Sequence, residues 1–300
     1  MIEVTRIQAI PSTPYAIDLS WEVRPTFDPL EDYSFTVLRS ESVGGPFTRI
    51  SGPIVFPAAF LFRDNQVNAF SKIRAYRYRI RVTGPTGDTL EFGSRTREER
   101  ARTGEIGSVG IEAEPDRIVL AMNRRFELLL RAKVGRPVMV LSRMTFGQYC
   151  ENYDAELQKH LRADCRQCWG TNFAGGYYSP VLAWLRVNPK PKGIRRTEIG
   201  EVHPAVSVAE LGRFPPLKPG DLLVERENVR WHVGTVQTTE KRRAASRQIA
   251  QISQLEAGRV ELQIPVAFPQ GHIFVPEPAL RPRMDLTSLT GARRIIESGG

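Results

Sequence analysis

The run Tyr-Arg-Tyr-Arg-Ile-Arg-Val at residues 76–82 sets Tyr76, Tyr78, Ile80 and Val82 against three arginines with a strict period of two. An extended strand puts every second side chain on one face, so this stretch predicts a β-strand with one buried side and one wet side. The alternation recurs in AIDLSWEV, where Ile17, Leu19, Trp21 and Val23 share a face, and in DYSFTVLRS with Tyr33, Phe35 and Val37. Half-buried strands at this density predict a small β-sandwich over the first hundred residues. Turn signals at Ser42-Val43-Gly44-Gly45-Pro46 and Gly84-Pro85-Thr86-Gly87 punctuate it, the second joining YRIRV to TLEFG in a hairpin. The apolar stretch SGPIVFPAAFLFRDNQVNAF reads as a covered strand pair, with a protein contact as the alternative.

The early Trp21, the YxYxI strand at 76–80 and the segment length resemble a fibronectin type III domain over about residues 3–94. The resemblance implies a module for binding or spacing rather than for chemistry. A charged, glycine-containing connector follows, and a helix is expected from about Asp116, burying Leu120, Phe126, Leu129 and Leu130 and ending at Gly135 and Pro137. PVMVLSRM then reads as a strand. From about Thr197 to Phe268 a second β unit is expected, a small barrel or sandwich, built from DLLVER, VRWHVGTV with an irregularity at Gly234, RQIAQISQLEAG as a short strand or helical turn, and GRVELQIPV as a closing strand. The fold class is mainly β. The expected divisions are 1–95, the fibronectin-like domain; 96–136, connector and helix; 137–196, a cysteine- and glycine-rich region with a basic loop; 197–268, the second β domain; and 269–300, an extended C-terminal arm.

The chain has only three cysteines in 300 residues, far below the density of a disulfide scaffold, which favours a reducing compartment. Two of them form Cys165-Arg166-Gln167-Cys168, the two-residue gap of a zinc knuckle, and Gly170 relieves the turn that follows. A structural site wants four ligands, and Cys150 with His160 completes the spacing C-x9-H-x4-C-x2-C. These soft and borderline ligands suit zinc. Reduced structural cysteines, with His160 on a solvent-facing helix, and a disulfide within the set are the alternatives. A redox pair at the start of a helix is not supported, because Trp169-Gly170-Thr171 and a glycine-rich bend follow at once. Gly175-Gly176 lacks the lysine of a phosphate loop, so no nucleotide cofactor is expected.

CRQCWGTNFAGGYYSP resembles a segment that recurs in structural proteins of tailed bacteriophages, of the form CxxCxGTGFxGGYYxP. Cys165, Cys168, Gly170, Thr171, Phe173, Gly175, Gly176, Tyr177 and Pro180 carry the likeness. The preceding YCENYD keeps Cys150, Tyr153 and Asp154 but offers one cysteine where the pattern has two, which leaves His160 as the replacement ligand. The likeness continues in Pro219-Gly220-Asp221-Leu222-Leu223-Val224, in Arg230-Trp231-His232-Val233 with Val236, and in Arg247-Gln248 with Ser253 and Leu255, so that it spans roughly residues 133–268. It implies a head-to-tail connector or neck component of the virion, made in the host cytoplasm, whose oligomeric ring joins capsid to tail around the DNA passage. A tail, baseplate or surface-binding adaptor that uses the fibronectin-like domain is the second expectation.

A net charge of +9 permits contact with a polyanion. The surplus is concentrated between Arg162 and Arg196, where seven basic residues meet one acid, Asp164. Arg186, Lys190, Lys192, Arg195 and Arg196 are therefore candidates for non-specific contact with DNA phosphate or with an acidic partner, against the reading of a solvated basic face. No apolar run approaches the roughly eighteen residues of a membrane span, and MIEVTRIQAI has no signal-peptide pattern. His203, His232 and His272 stand apart, with no HExxH, no GxSxG and no metal triad at readable spacing, so a non-enzymatic role is expected.

Overall fold

In a computed structural model the described residues are 2–42, 45–70, 75–93, 106–111, 116–154, 156–162, 165–189, 195–197, 200–202, 206–241, 244–255 and 258–269, with backbone alone at 159–160, 189, 195–197, 200–202, 239–241 and 244–246. Strands β1 (Val4–Thr13), β2 (Ala16–Val23), β3 (Ser34–Ser40), β4 (Thr48–Arg49), β5 (Ile54–Val55), β6 (Leu61–Asp64), β7 (Arg77–Thr83), β8 (Thr89–Phe92) and β9 (Val109–Gly110) precede α1 (Arg117–Leu129). The strands form two sheets, β1-β2-β6 and β4-β3-β7-β8, with β5 added to β3 and β9 to β7. Tyr78, Ile80 and Val82 alternate into the core as their spacing predicts, and Trp21 lies among Phe35 and Phe60. The apolar stretch after Ser51 is covered, since Phe56 and Phe60 both enter this core. Asp64 ties the two sheets together, accepting from Arg39 Nη1 at 2.9 Å and from the Tyr78 hydroxyl at 3.1 Å. Both donors are shielded from water, which strengthens a pairing that is weak at a surface.

Among the described residues ten further strands follow: β10 (Arg136–Leu141), β11 (Tyr153–Asp154), β12 (Lys159–His160), β13 (Val181–Pro189), β14 (Arg195–Thr197), β15 (Gly200–Val202), β16 (Val206–Leu211), β17 (Leu222–Glu225), β18 (Arg230–Lys241) and β19 (Ala244–Gln254). Six of them close a barrel in the order β10-β13-β16-β19-β18-β17. Period two sorts their side chains: Val138, Val140 and Leu223 fill the interior, whereas Met139, Leu141, Leu222 and Val224 form a second apolar cluster. The barrel reaches back to β10 and β13, so it draws on more of the chain than residues 197–268. The pairing of β18 with β19 slips between Val233 and Thr235, the irregularity expected at Gly234.

Two expectations change. GRVELQIPV is not a strand: Val260–Gln263 is a 3-10 turn. The barrel is already closed and has no edge to offer, and the buried Arg230 takes the Glu261 and Ile264 carbonyls at 2.6 and 2.7 Å instead. The helix starts as expected, with Asp116 Oδ1 accepting from the Ile118 and Val119 amides at 2.8 and 3.2 Å. Its last residues pass into a π-helical turn, Leu130–Val134, which turns Leu130 inward and leaves Leu129 45% exposed, while Phe126 lies half-buried against Arg247. RQIAQISQ resolves to strand, as part of β19. The fold is thus mainly β, with one α-helix among the described residues, a cysteine-containing loop and a closed six-stranded barrel. The chain from Met1 to Phe268 forms one compact unit, and the expected arm beyond it lies outside the described residues apart from Pro269.

Candidate metal centre

The segment between β10 and β13 carries all three cysteines and is wedged between two cores. Met144, Phe173 and Tyr178 enter the core of the N-terminal sheets, and Tyr177 enters the outer barrel cluster with Met139, Leu141 and Leu222. Adjacent tyrosines therefore bury in different cores. The bend that allows this needs glycine: Gly176 has φ +69°, and a Cβ there would collide with the Cys168 carbonyl. Tyr178 then donates its hydroxyl to the Phe146 carbonyl at 3.2 Å.

The same bend gathers the thiols. Thr171 donates both its amide and its hydroxyl to the Cys168 carbonyl, at 2.9 and 2.8 Å, and the Trp169 amide reaches the Cys165 carbonyl at 2.8 Å, which closes a knuckle around residues 165–171. Cys150 is fixed to it through its amide, which donates to Asn172 O at 2.9 Å. All three side chains are buried, and their Sγ atoms lie within 4.8 Å of one another. Cys150 and Cys165 sulfurs are 4.0 Å apart, about twice an S–S bond, so these are free thiols and the disulfide reading is set aside. Zinc–sulfur bonds of about 2.3 Å at tetrahedral angles hold sulfurs roughly 3.8 Å apart. The observed spacing needs only small side-chain rotations to meet that, and the cluster could coordinate a metal ion.

Burial pushes the Cys150 thiol up to about 11, with the neighbouring sulfurs adding to the effect, and burial likewise raises Cys168. Burial also opposes ionisation of Cys165, but hydrogen bonds from the Cys168 and Gln167 backbone outweigh it and hold that thiol below its ordinary value. Cys165 is thus the first of the three to become a thiolate. A cation among the sulfurs would compensate the remaining two. Gln167 Oε1 lies 3.6 Å from Cys150 Sγ and Asn152 Nδ2 lies 3.7 Å from Cys165 Sγ, contacts that sequence spacing did not single out.

His160 lies on a two-stranded hairpin rather than on a helix, and its backbone is in register with Tyr153, whose ring packs on the cysteine cluster. Its side chain lies outside the described residues. Arg186 is exposed on β13, opposite Glu210 of β16. Lys190 and Lys192 are outside the described residues, and only the backbone of Arg195 and Arg196, in β14, is described.

Asp221, Gly220 and Gln248 of the downstream motifs shape or tie the backbone. Asp221 accepts from the Arg143 and Lys218 amides at 2.8 and 2.7 Å, and a Cβ on Gly220 (φ +94°) would meet Arg143 Cδ at 2.8 Å. Gln248, 1% exposed, accepts from the Leu217 amide at 2.7 Å and donates to the Gly212, Arg213 and Pro215 carbonyls. No helix among the described residues is long and apolar enough to cross a membrane. The chain matches no family model and no curated protein sequence.

Proposed function

We propose that this chain is a structural virion protein, a ring-forming head-to-tail connector component that joins capsid and tail around the DNA passage, with a fibronectin type III-like sandwich at its N-terminus. The observation that carries the reading is what the motif residues do: Gly176 and Gly220 bend the backbone, Asp221 and Gln248 tie it by hydrogen bonds, and Tyr177 and Tyr178 pack into two cores. A motif made of such devices specifies shape. The β18-β19 ribbon supports the assembly part of the reading. Thr238 pairs with Gln248 and Lys241 with Ala244, while β17 reaches only His232 of β18 and β16 only Gln248 of β19, so among the described residues the outer part of the ribbon pairs with no further strand. A two-stranded ribbon that outruns its neighbours in the sheet is the kind of element that makes the heterologous contacts of a ring.

In this role the thiol cluster holds a structural zinc ion, with His160 as the fourth ligand, and the ion locks the knuckle that separates the two tyrosines. Basic residues from Arg186 to Arg196 contribute sequence-independent attraction to DNA phosphate or to an acidic neighbour. Native mass measurement and electron images of the purified full chain, alone and with virion neck proteins, test the assembly. A closed ring is the expected result; a strictly monomeric chain that forms no ring under either condition would refute it.

A further inference from the structure

A cavity of about 220 Å³ opens between the N-terminal sheets and the barrel, away from the cysteines. One wall is aromatic. Phe60, Phe146 and Tyr178 pack with centroids 5.5–6.0 Å apart, and Trp21 stacks on Phe60 at 6.1 Å. Trp21 is 2% exposed, and its indole Nε1–H has no hydrogen-bond partner. A buried donor left in this condition is uncommon, because the lost hydration is not recovered.

Among the charged lining residues, cations outnumber carboxylates. Arg6, Arg143, Arg213 and Lys218 border the cavity, against two carboxylates, Asp18 and Glu22. Asp18 is paired with Arg63, which holds it through Nε at 2.6 Å and Nη2 at 3.1 Å, also donates to Glu127 at 3.1 and 3.2 Å, and is not itself a lining residue. Glu22 is shared between Arg6 at 3.5 Å and Lys218 at 3.9 Å. Arg143 directs Nη2 at a neutral carbonyl, Gly170 O, at 3.4 Å. The balance therefore favours an added negative charge.

We infer that this cavity is a binding site for a small carboxylate carried on a flat apolar stem, with the stem against the aromatic wall, the Trp21 N–H donating to a carboxylate oxygen, and Lys218 and Arg143 closing over the charge. The size agrees, since an apolar cavity of about 150 Å³ already accepts a benzene ring. A planar aryl group suits the aromatic wall through offset or edge contacts. Both walls belong to one chain, so the site exists without any assembly and does not rest on the connector reading. It also implies a consequence: a ligand that touches both cores stabilises their junction.

The experiment is calorimetric titration of the full chain with phenylacetate and with phenylacetamide, alongside melting curves. Phenylacetate is expected to saturate the protein, to bind about tenfold tighter than the amide, and to raise the melting temperature. Lys218→Met changes a half-exposed rim residue and should weaken phenylacetate about threefold without altering the free protein's melting. Trp21→Phe keeps an aromatic ring but removes the donor, and should weaken it about fivefold. No saturation at millimolar phenylacetate overturns the site. Equal affinity for the amide overturns the anion assignment, and unchanged affinity in Lys218→Met does the same even if Trp21→Phe fails to fold.

Discussion

Replacing Gln248 by alanine removes a side chain that makes four hydrogen bonds at once, to one amide and three carbonyls of the 212–217 loop. Water cannot take over readily, because Gln248 is 1% exposed and Leu217 only 6%. The orphaned Leu217 N–H alone costs about 1–3 kcal/mol, and carbonyls that lose their shared donor add to it, for about 4 kcal/mol in total. At roughly 2–4 °C per kcal/mol for a chain of this size, the melting temperature should fall by about 8–16 °C. Gln248→Glu sharpens the test. Its carboxylate can still accept from Leu217 but faces three carbonyls, so its folded-state pKa must lie above the ordinary 4.3 or so of a free glutamate. Stability of that variant is then fullest below the unfolded value, where the protonated acid can donate, and is lost as pH rises through the folded value. Thermal or urea unfolding of the two variants from mildly acidic to neutral pH reads both effects. A loss below about 1 kcal/mol in Gln248→Ala, or a pH-independent Gln248→Glu, would refute the anchoring argument.

Elemental analysis of protein purified without added metal should find one zinc per chain; Cys168→Ser should abolish it, and chelation should lower the melting temperature by about 5 °C or more, whereas zinc-free protein with unchanged melting removes the metal centre. Tyr178→Phe should lose about 1 kcal/mol with its bond to Phe146 O, and Tyr177→Ala about 3 kcal/mol from the outer barrel cluster, both measurable by denaturant unfolding. Burial raises the Asp221 carboxyl from 3.8 to about 6 despite its two amide donors. Its contribution is therefore complete below about 3.8 and declines as pH rises through about 6, so the stability of the native chain relative to Asp221→Asn should drop by about 3 kcal/mol over that window; a flat difference across the same pH series counts against it.

Strands were legible wherever one face is buried and the other wet. Tyr78, Ile80 and Val82 announce β7, and Val229, Trp231 and Val233 announce β18 with its irregularity at Gly234, because period two is a local property of an extended chain. The start of α1 was legible for the same reason, since Asp116 caps amides two and three residues away. Its inner face departs from helical period at Leu129, which is exposed because the π-helical turn beginning at Leu130 shifts the register. GRVELQIPV has the composition of a strand, and only barrel closure, with Arg230 holding two carbonyls, denies it an edge to join.

The cysteine spacing marked Cys165 and Cys168 as neighbours by itself, since two intervening residues bring two thiols to one side of a tight turn. That Cys150 joins them within 4.8 Å was settled by the tertiary fold, through its amide on Asn172. The Gly-Gly-Tyr-Tyr run was visible as a bend, but the destination of each tyrosine was not, because it depends on two cores assembled from distant parts of the chain. The same holds for the cavity beside Trp21. Its walls come from β1, β2, the chain at Phe60, the segment that carries Phe146 and Tyr178, and the 213–218 loop, and sequence separation of that size carries no local signal. The alternating strands, the helix cap and the knuckle follow from chemistry written within a few residues; which of those pieces face one another follows from burial and closure across distant parts of the chain.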